Sequence, residues 1–283
     1  MAEEKKKKTP ADFKRESRES FLAPPAPGAK IGKVIGVVSG KGGVGKSLVT
    51  SLCACVLKQA GYRVGILDAD ITGPSIPRMF GVEGLSYVTE QLMGPGVSTG
   101  GIKVMSLNLL MDHDTDPVIW RGPVIAGVVK QFWSEADWGE LDVMMVDMPP
   151  GTGDVPLTVF QSLPVDGILI VTTPQELVSM IVEKAENMAQ MMEIPVLGVV
   201  ENMAYMTCPH CGEMIDIFGT QGHDAAAQCA ASRGLDLLAK LPIDPGLAGL
   251  CDTGRIEEAD LQALALESLT ARLQSLLGGT PEV

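Results

Sequence analysis

The chain has 283 residues, of which 46% are hydrophobic and 20% are charged, a composition typical of a folded globular protein. Its net charge of −13 argues against a nucleic-acid-binding surface, because phosphate contacts require Lys and Arg. No apolar run reaches the roughly 18 residues of a membrane span, and the N-terminus lacks the apolar segment of a signal peptide. We therefore expect a cytoplasmic protein without stable membrane association, whose six cysteines are thiols or metal ligands rather than disulfides.

Residues 1–30 are predicted to form a disordered tail, basic at its start and rich in proline at its end. Lys5 to Lys8 form a basic run, and the segment 24–28 reads Pro-Pro-Ala-Pro-Gly, which interrupts regular structure. The basic run either contacts an acidic partner or membrane surface or is simply solvated, and solvation is the more common case. A second short tail is predicted over residues 279–283.

From residue 33 onward, apolar segments alternate with helix-like segments. Most of the apolar segments are continuous, as in strands that are buried on both faces of a parallel sheet. We therefore predict one α/β domain over residues 31–278, with a mostly parallel central sheet and helices on both faces. The predicted strands are 34–38, 64–67, 102–107, 143–146, 168–171, 196–200 and 237–241, and the predicted helices are 48–60, 123–132, 176–192, 223–233 and 258–277.

The first predicted strand leads into the pattern G-x-x-x-x-G-K-S, and a predicted helix follows. A glycine-rich loop between a strand and a helix is the context of a phosphate-binding loop, or P-loop. Glycines let the backbone N–H groups turn toward an anion, and the helix N-terminus adds positive charge. We expect Lys46 to reach the β- and γ-phosphates of a nucleotide and Ser47 to hold Mg²⁺; the alternative is a turn without a ligand. The predicted nucleotide-binding residues of this loop are Gly40, Lys41, Gly42, Gly43, Val44, Gly45, Lys46 and Ser47.

Two acidic segments follow predicted strands, and parallel strands place their carboxyl ends at one edge of the sheet. Asp68 and Asp70 follow the second strand, where one carboxylate can anchor Mg²⁺ through water and Asp70 is favoured to orient an attacking water. The fourth strand ends at Asp147, which is predicted to hold a Mg²⁺-bound water opposite Ser47. Gly151, in the loop that follows, can place a backbone N–H on the γ-phosphate. The alternatives are a helix cap and turn for the first segment and a plain turn for the second.

Cys208 and Cys211 form a C-x-x-C turn that is followed by Gly212. Such a turn directs two thiolates at one metal, but two cysteines make only half of a four-coordinate site. Two copies of the chain across a two-fold axis would supply four thiolates. The residues alone leave Zn²⁺ and a 4Fe–4S cluster open, and a redox dithiol is a third, less favoured reading. The cysteines interpreted as structural are Cys53, Cys55, Cys229 and Cys251.

Weaker features suggest a site for a purine base. Asn202 follows the sixth predicted strand, where its amide can hydrogen-bond a base edge. Pro242 and Asp244 follow the seventh strand and can border a base. A turn explains each of these features equally well.

Taken together, these segments resemble the Mrp/ApbC (Nbp-type) family of iron–sulfur cluster carriers. This family belongs to the deviant-Walker P-loop ATPases, a group that includes MinD, ParA and the nitrogenase iron protein. The resemblance covers about residues 31–278 and leaves the N-terminal tail outside. The matching segments are GKGGVGKS at 40–47, DADITGPSIP at 68–77, WRGP at 120–123, DMPPGTGD at 147–154 and the run from ENM to CPHC at 201–211.

The resemblance implies a homodimer that binds ATP and Mg²⁺ at its interface. Lys41, which an ordinary P-loop does not need, looks like the signature lysine that reaches across to the partner's nucleotide. Cys208 and Cys211 look like ligands of a 4Fe–4S cluster shared by two subunits, and Asn202 looks like an adenine contact. The favoured function is therefore an ATP hydrolase that carries a cluster and transfers it to apo iron–sulfur client proteins.

Three other functions compete with this one. A MinD- or ParA-like spatial organiser would bind membrane or DNA, but the last predicted helix has no basic face and the chain is acidic. A zinc-stapled dimer and an electron-transferring reductase are the others. No arginine finger is evident in the motifs and Arg121 has no assigned role, so hydrolysis is expected to be slow, at about 10⁻⁴ to 10⁻² s⁻¹.

Overall fold

The computed structural model describes residues 22–70, 73, 75–111, 122–151, 154–174, 178–218 and 225–279. The strands are β1 (Lys30–Ser39), β2 (Val64–Asp68), β3 (Tyr87–Val88), β4 (Met93–Gly94), β5 (Gly96–Val97), β6 (Lys103–Met105), β7 (Glu140–Asp147), β8 (Gly167–Thr172), β9 (Val196–Thr207), β10 (Met214–Ile215) and β11 (Leu237–Pro242). The helices are α1 (Lys46–Gln59), α2 (Ile76–Met79), α3 (Gly122–Glu135), α4 (Asp154–Ser162), α5 (Val178–Met191), α6 (Ala225–Ser232), α7 (Pro245–Asp252) and α8 (Glu267–Leu277).

The central sheet brings the carboxyl ends of three parallel strands together. Its order is β10–β9–β8–β1–β7–β2–β6–β5, and β11 pairs with β9. Strand β7 lies between β1 and β2, and its last residue, Asp147, is in register with Val37 of β1 and Asp68 of β2. The P-loop and both acidic segments therefore meet at one edge. The prediction of a mostly parallel α/β sheet is confirmed.

Strand β1 explains why continuous apolar runs predicted the sheet correctly. Ile35 and Val37 belong to the hydrophobic core on one face, together with residues of α1 and α8. Val34 and Val38 belong to the core on the opposite face, together with residues of α3, α4 and α5. Because both faces are covered, alternate residues of the strand are equally apolar.

The predicted helix 258–277 is wrong in its first half. Ile256–Glu258 form a short 3₁₀ turn, and regular helix begins only at Glu267. The Asp260 carboxylate accepts backbone N–H groups of Gln262 and Ala263 at 3.2 Å each, which forms a local turn that competes with the helix. Ala265 then adopts a left-handed conformation with φ +49°, which interrupts helical geometry.

The sequence prediction also missed helices α4 and α7, and the last part of the predicted N-terminal tail lies within the described residues. The backbone N–H of Ala23 donates to Ser162 at 2.9 Å, and that of Ala26 donates to Trp133 at 3.2 Å. Ala26 is buried, so chain packing begins before residue 30. Residues 1–21 and 280–283 lie outside the described residues, and the division into one domain with two tails stays a prediction. No helix in the described part of the chain is long and apolar enough to cross a membrane.

Candidate nucleotide and thiolate sites

The P-loop folds as its glycines require. Gly43 and Gly45 have φ values of +77° and +80°, in the left-handed region that favours glycine. Gly40 has no room for a side chain, since an added Cβ would lie 2.4 Å from Cγ2 of Ile181. Helix α1 begins directly after Gly45, so the N–H groups of its first turn face the open edge of the sheet. This is the geometry of an anion site.

Asp147 is the centre of the site and is fully buried. The hydroxyl of Ser47 donates to its Oδ2 at 2.5 Å, and the hydroxyl of Thr50 donates to its Oδ1 at 2.8 Å. The ammonium of Lys46 lies 2.8 Å from the same Oδ1. The residues present fit a hard divalent cation, because the hydroxyl of Ser47 and the carboxylate of Asp147 are adjacent oxygen ligands. Thr50 was not predicted, although it lies one helical turn after Ser47 on the same helix.

Asp68 and Asp70 lie beside this pair, as the order of the strands predicted. Asp70 Oδ2 is 3.3 Å from the ammonium of Lys46, and the Asp68 carboxylate accepts from Ser106 at 3.0 Å and from the N–H of Asp70 at 3.1 Å. Burial raises the pKa of Asp68 well above its ordinary value, and repulsion from Asp147 adds to the shift. Burial acts to lower the pKa of Lys46, but attraction to Asp147 and Asp70 outweighs it and the net pKa is raised. Lys46 thus stays charged at the predicted phosphate position.

Two predicted nucleotide contacts hold the loop itself in this structure. The Asn202 amide is buried in strand β9, and its Nδ2 donates to the carbonyl of Val44 at 2.9 Å. The N–H of Gly151 donates to the carbonyl of Ser39 at 2.9 Å. Asn202 therefore lies inside a strand rather than after one, and its side chain holds the P-loop backbone at Val44. The adenine contact of Asn202 and the phosphate contact of Gly151 stay predictions.

Gly45→Ala tests the fit between the P-loop and Asn202. An added Cβ would lie 2.0 Å from Nδ2 of Asn202, and alanine resists the φ of +80°. We expect the free energy of unfolding to fall by about 2–3 kcal/mol, from backbone strain and from loss of the Asn202–Val44 hydrogen bond. Urea unfolding measures the change. Gly42→Ala in the same loop is the matched control, because no atom lies within 4 Å of its Cβ position and its φ is not positive, so a change below about 1 kcal/mol is expected. Equal losses in both variants would contradict the argument.

Pro242 and Asp244 border a cavity that is separate from the P-loop. The Asp244 carboxylate accepts the N–H of Gly246 at 2.7 Å and caps helix α7. The cavity has a volume of about 780 Å³, and among the described residues no P-loop residue borders it. Its walls include Tyr205, Pro209, Pro242, Asp244, Leu250 and Glu258. The structure therefore joins this cavity to the cysteine turn through Pro209, and the base-binding role of Pro242 and Asp244 stays a prediction.

The cysteine pair lies at the tip of a hairpin between β9 and β10. The N–H of Cys208 donates to the carbonyl of Glu213, and the N–H of Gly212 donates to the carbonyl of Cys208, both at 2.9 Å. Gly212 has φ +74°, which closes the turn. Cys208 is half-buried and Cys211 is exposed. The backbone N–H groups of Cys211 and then of His210 lower the pKa of Cys208, which favours the thiolate that binds metals.

The pair is incomplete as a metal site in one chain. Among the described residues, no group of three or more His, Cys, Asp or Glu side chains is arranged to hold a metal ion. Cys53 is buried, and burial raises its pKa to about 12, as expected for a structural thiol. Burial also raises the pKa of Cys55 to about 12, and Cys229 is buried as well. Arg121, like residues 71, 72, 74, 152 and 153, lies outside the described residues.

The fold and the site define the class of protein. A P-loop after β1, with its serine hydroxyl hydrogen-bonded to a strand-end aspartate, is typical of a P-loop nucleoside triphosphatase. A family model described as "ParA: NUBPL iron-transfer P-loop NTPase" matches residues 30–274. The chain belongs to this family, and the predicted family membership is confirmed.

The relatives and solved structures agree with this assignment. An iron–sulfur cluster carrier protein of Clostridium perfringens is 48% identical over 236 residues, which cover 81% of this chain and 82% of the relative. An iron–sulfur cluster carrier protein of Methanocaldococcus jannaschii is 47% identical over 222 residues, which cover 76% of this chain and 74% of the relative. A nucleotide-binding protein of Archaeoglobus fulgidus, solved in complex with ADP, is 43% identical with a TM-score of 0.73 and covers 87% of this chain and 95% of its own. MinD of Aquifex aeolicus shares the fold, with 18% identity and a TM-score of 0.58. The match covers 89% of this chain and 99% of MinD.

Proposed function

We propose that this protein is an ATP-hydrolysing carrier of iron–sulfur clusters. It binds a 4Fe–4S cluster between two subunits and delivers it to apo iron–sulfur client proteins. The observation that carries the proposal is the hairpin of Cys208 and Cys211, which presents half of a four-thiolate site on a P-loop nucleoside triphosphatase. The relatives named as iron–sulfur cluster carriers support the same cargo.

ATP is the proposed nucleotide and binds at the edge formed by β1, β7 and β2. The P-loop backbone and Lys46 hold the phosphates, while Ser47 and Asp147 hold Mg²⁺. When bound, the cation neutralises charge that develops on the phosphates. Asp70 lies 3.3 Å from the ammonium of Lys46 and is proposed to orient the attacking water. Lys41 is proposed to reach the nucleotide of the partner subunit, and hydrolysis is expected at the slow intrinsic rate of P-loop proteins that act without an arginine finger.

Strand β9 links the nucleotide site to the cysteines. Asn202 supports the P-loop through the carbonyl of Val44, and Cys208 follows the last residue of the same strand, Thr207. A regular strand rises about 3.3 Å per residue, so Asn202 and Cys208 are at most about 20 Å apart along it. A shift of the P-loop on nucleotide binding is thereby transmitted to the cysteine hairpin. This connection is the proposed means by which ATP sets the geometry of the shared cluster site.

Cys208→Ala tests the proposed function. Protein reconstituted without oxygen, with ferrous iron and sulfide, is expected to lose nearly all cluster absorbance and bound iron in this variant, because two thiolates of the shared site are removed. ATP binding is expected to be unchanged, since Cys208 lies in the hairpin turn after β9 and is not part of the P-loop.

Cys251→Ala is the matched control, because Cys251 is also half-buried but lies outside the hairpin. It should load the cluster like the wild type. Full cluster retention in Cys208→Ala would refute the assignment. Zinc in place of iron and sulfide in wild-type protein isolated without oxygen would instead support a zinc-stapled dimer.

A further inference from the structure

The strand that leaves the cysteine turn exposes an unusual concentration of apolar side chains. Met214 and Ile215 of β10 are 61% and 39% exposed, and Ile217 and Phe218 are 42% and 37% exposed. We name these four residues the hairpin patch. Across the described residues, only ten large hydrophobic side chains are exposed, and four of them fall in this five-residue segment. A concentration of exposed apolar side chains in one short segment is typical of a contact site.

The hairpin patch is joined to the cysteines by the backbone. Met214 pairs with Thr207, the residue directly before Cys208, and Ile215 pairs with Met206. The hydrogen bond from the N–H of Cys208 to Glu213 fixes the two sides of the turn. Whatever approaches the two thiols therefore also approaches Met214 and its neighbours.

We infer that the hairpin patch is the surface on which a second copy of this chain docks to complete the four-thiolate site. The inference rests on the proposed function, because that site needs thiolates from two chains. A two-fold axis through the site places each cysteine turn against its own copy, so the side chains beside the turn also meet their copies. The apolar patches then cover each other and exclude water from the metal-bound sulfurs.

The distribution of charge also favours a second copy of this chain as the partner of the hairpin patch. The chain carries a net charge of −13, so two copies repel each other over most of their surfaces. Between residues 202 and 218 the only charged residues are Glu213 and Asp216, and there is no Lys or Arg. An interface here brings few like charges together, while apolar contact supplies the attraction. A basic client protein, by contrast, would find little negative charge to recognise on this hairpin.

Met214→Glu tests the inference, with Met191→Glu as the matched control. Met191 is 75% exposed at the end of helix α5, so both variants place the same charge on an exposed methionine. Each is reconstituted without oxygen with ferrous iron and sulfide, in the absence of nucleotide, and its dimer dissociation constant is measured by sedimentation. We expect Met214→Glu to raise that constant about tenfold or more and to lower bound iron per chain, while Met191→Glu matches the wild type. Ile217→Glu is the second variant and should behave like Met214→Glu.

The outcomes separate this inference from the proposed function. If Met214→Glu and Ile217→Glu dimerise with the wild-type constant, the inference is overturned, even when Cys208→Ala has lost its cluster. If they dimerise normally but transfer the cluster more slowly to an apo acceptor protein, the patch binds a client and the inference is again overturned. If the wild type takes up no iron, the proposed function fails as well. Unchanged binding of a fluorescent ATP analogue shows that the variants are folded.

Discussion

Asp147→Asn is expected to remove Mg²⁺-dependent ATP hydrolysis and to destabilise the protein. The carboxylate is fully buried and meets Ser47, Thr50 and Lys46, each within 2.8 Å. The amide presents an NH₂ group where a cation ligand is needed and leaves Lys46 paired with Asp70 alone. We expect the hydrolysis rate to fall about 100-fold or more and the free energy of unfolding to fall by about 2–3 kcal/mol. Phosphate release and urea unfolding measure the two effects.

Asp142→Asn is the control on the same strand. Asp142 accepts from Arg63 at the exposed, opposite end of β7, at 2.7 Å. Exposed ion pairs contribute about 0–1 kcal/mol, so stability should change little and hydrolysis not at all. Wild-type hydrolysis in Asp147→Asn would show that its carboxylate is not a Mg²⁺ ligand.

The sequence predicts that the P-loop and the acidic segments come together, because two simple constraints determine their positions. Strands covered on both faces are continuously apolar, so β1, β2 and β7 were recognisable. Parallel strands then place Ser47, Asp70 and Asp147 at one edge without knowledge of the strand order. The structure confirms that these three residues converge, with Lys46 between the carboxylates.

The sequence predicted less where polar residues have structural roles. The sequence predicts that Asn202 follows a strand, whereas β9 continues through Asn202 to Thr207, and the buried amide donates to the P-loop carbonyl of Val44. Asp244 is predicted to border a base, with a turn as the alternative, whereas in the structure its carboxylate caps helix α7. Asp260 formed a turn where helix was predicted. In each case the competing hydrogen bond depends on local geometry or on a distant partner, and neither is visible as a periodic pattern.

Replacing Lys46 should lower stability and ATP affinity, whereas replacing Lys41 should mainly slow hydrolysis. Lys46 is 6% exposed and lies between Asp70 and Asp147. Lys46→Met leaves these carboxylates and Asp68 buried without a cation, so the free energy of unfolding should fall by about 3–5 kcal/mol. ATP affinity should fall about 100-fold or more, because the charge that meets the phosphates is lost. Urea unfolding and titration with a fluorescent ATP analogue measure these changes.

Lys41→Met is the matched substitution in the same loop, five residues earlier. Lys41 is half-buried at the start of the loop, and its carbonyl, which the substitution retains, accepts from the hydroxyl of Ser39 at 3.0 Å. If Lys41 serves the nucleotide of the partner subunit, this variant binds ATP with nearly wild-type affinity but hydrolyses it slowly. Mixing the Lys41→Met and Asp147→Asn proteins sharpens the test. In a mixed dimer, the nucleotide site of the Lys41→Met chain keeps its own Asp147 and receives the intact Lys41 of the other chain. Recovery of hydrolysis in the mixture requires the lysine to act across the interface, whereas a lysine that acts only within its own chain predicts no recovery.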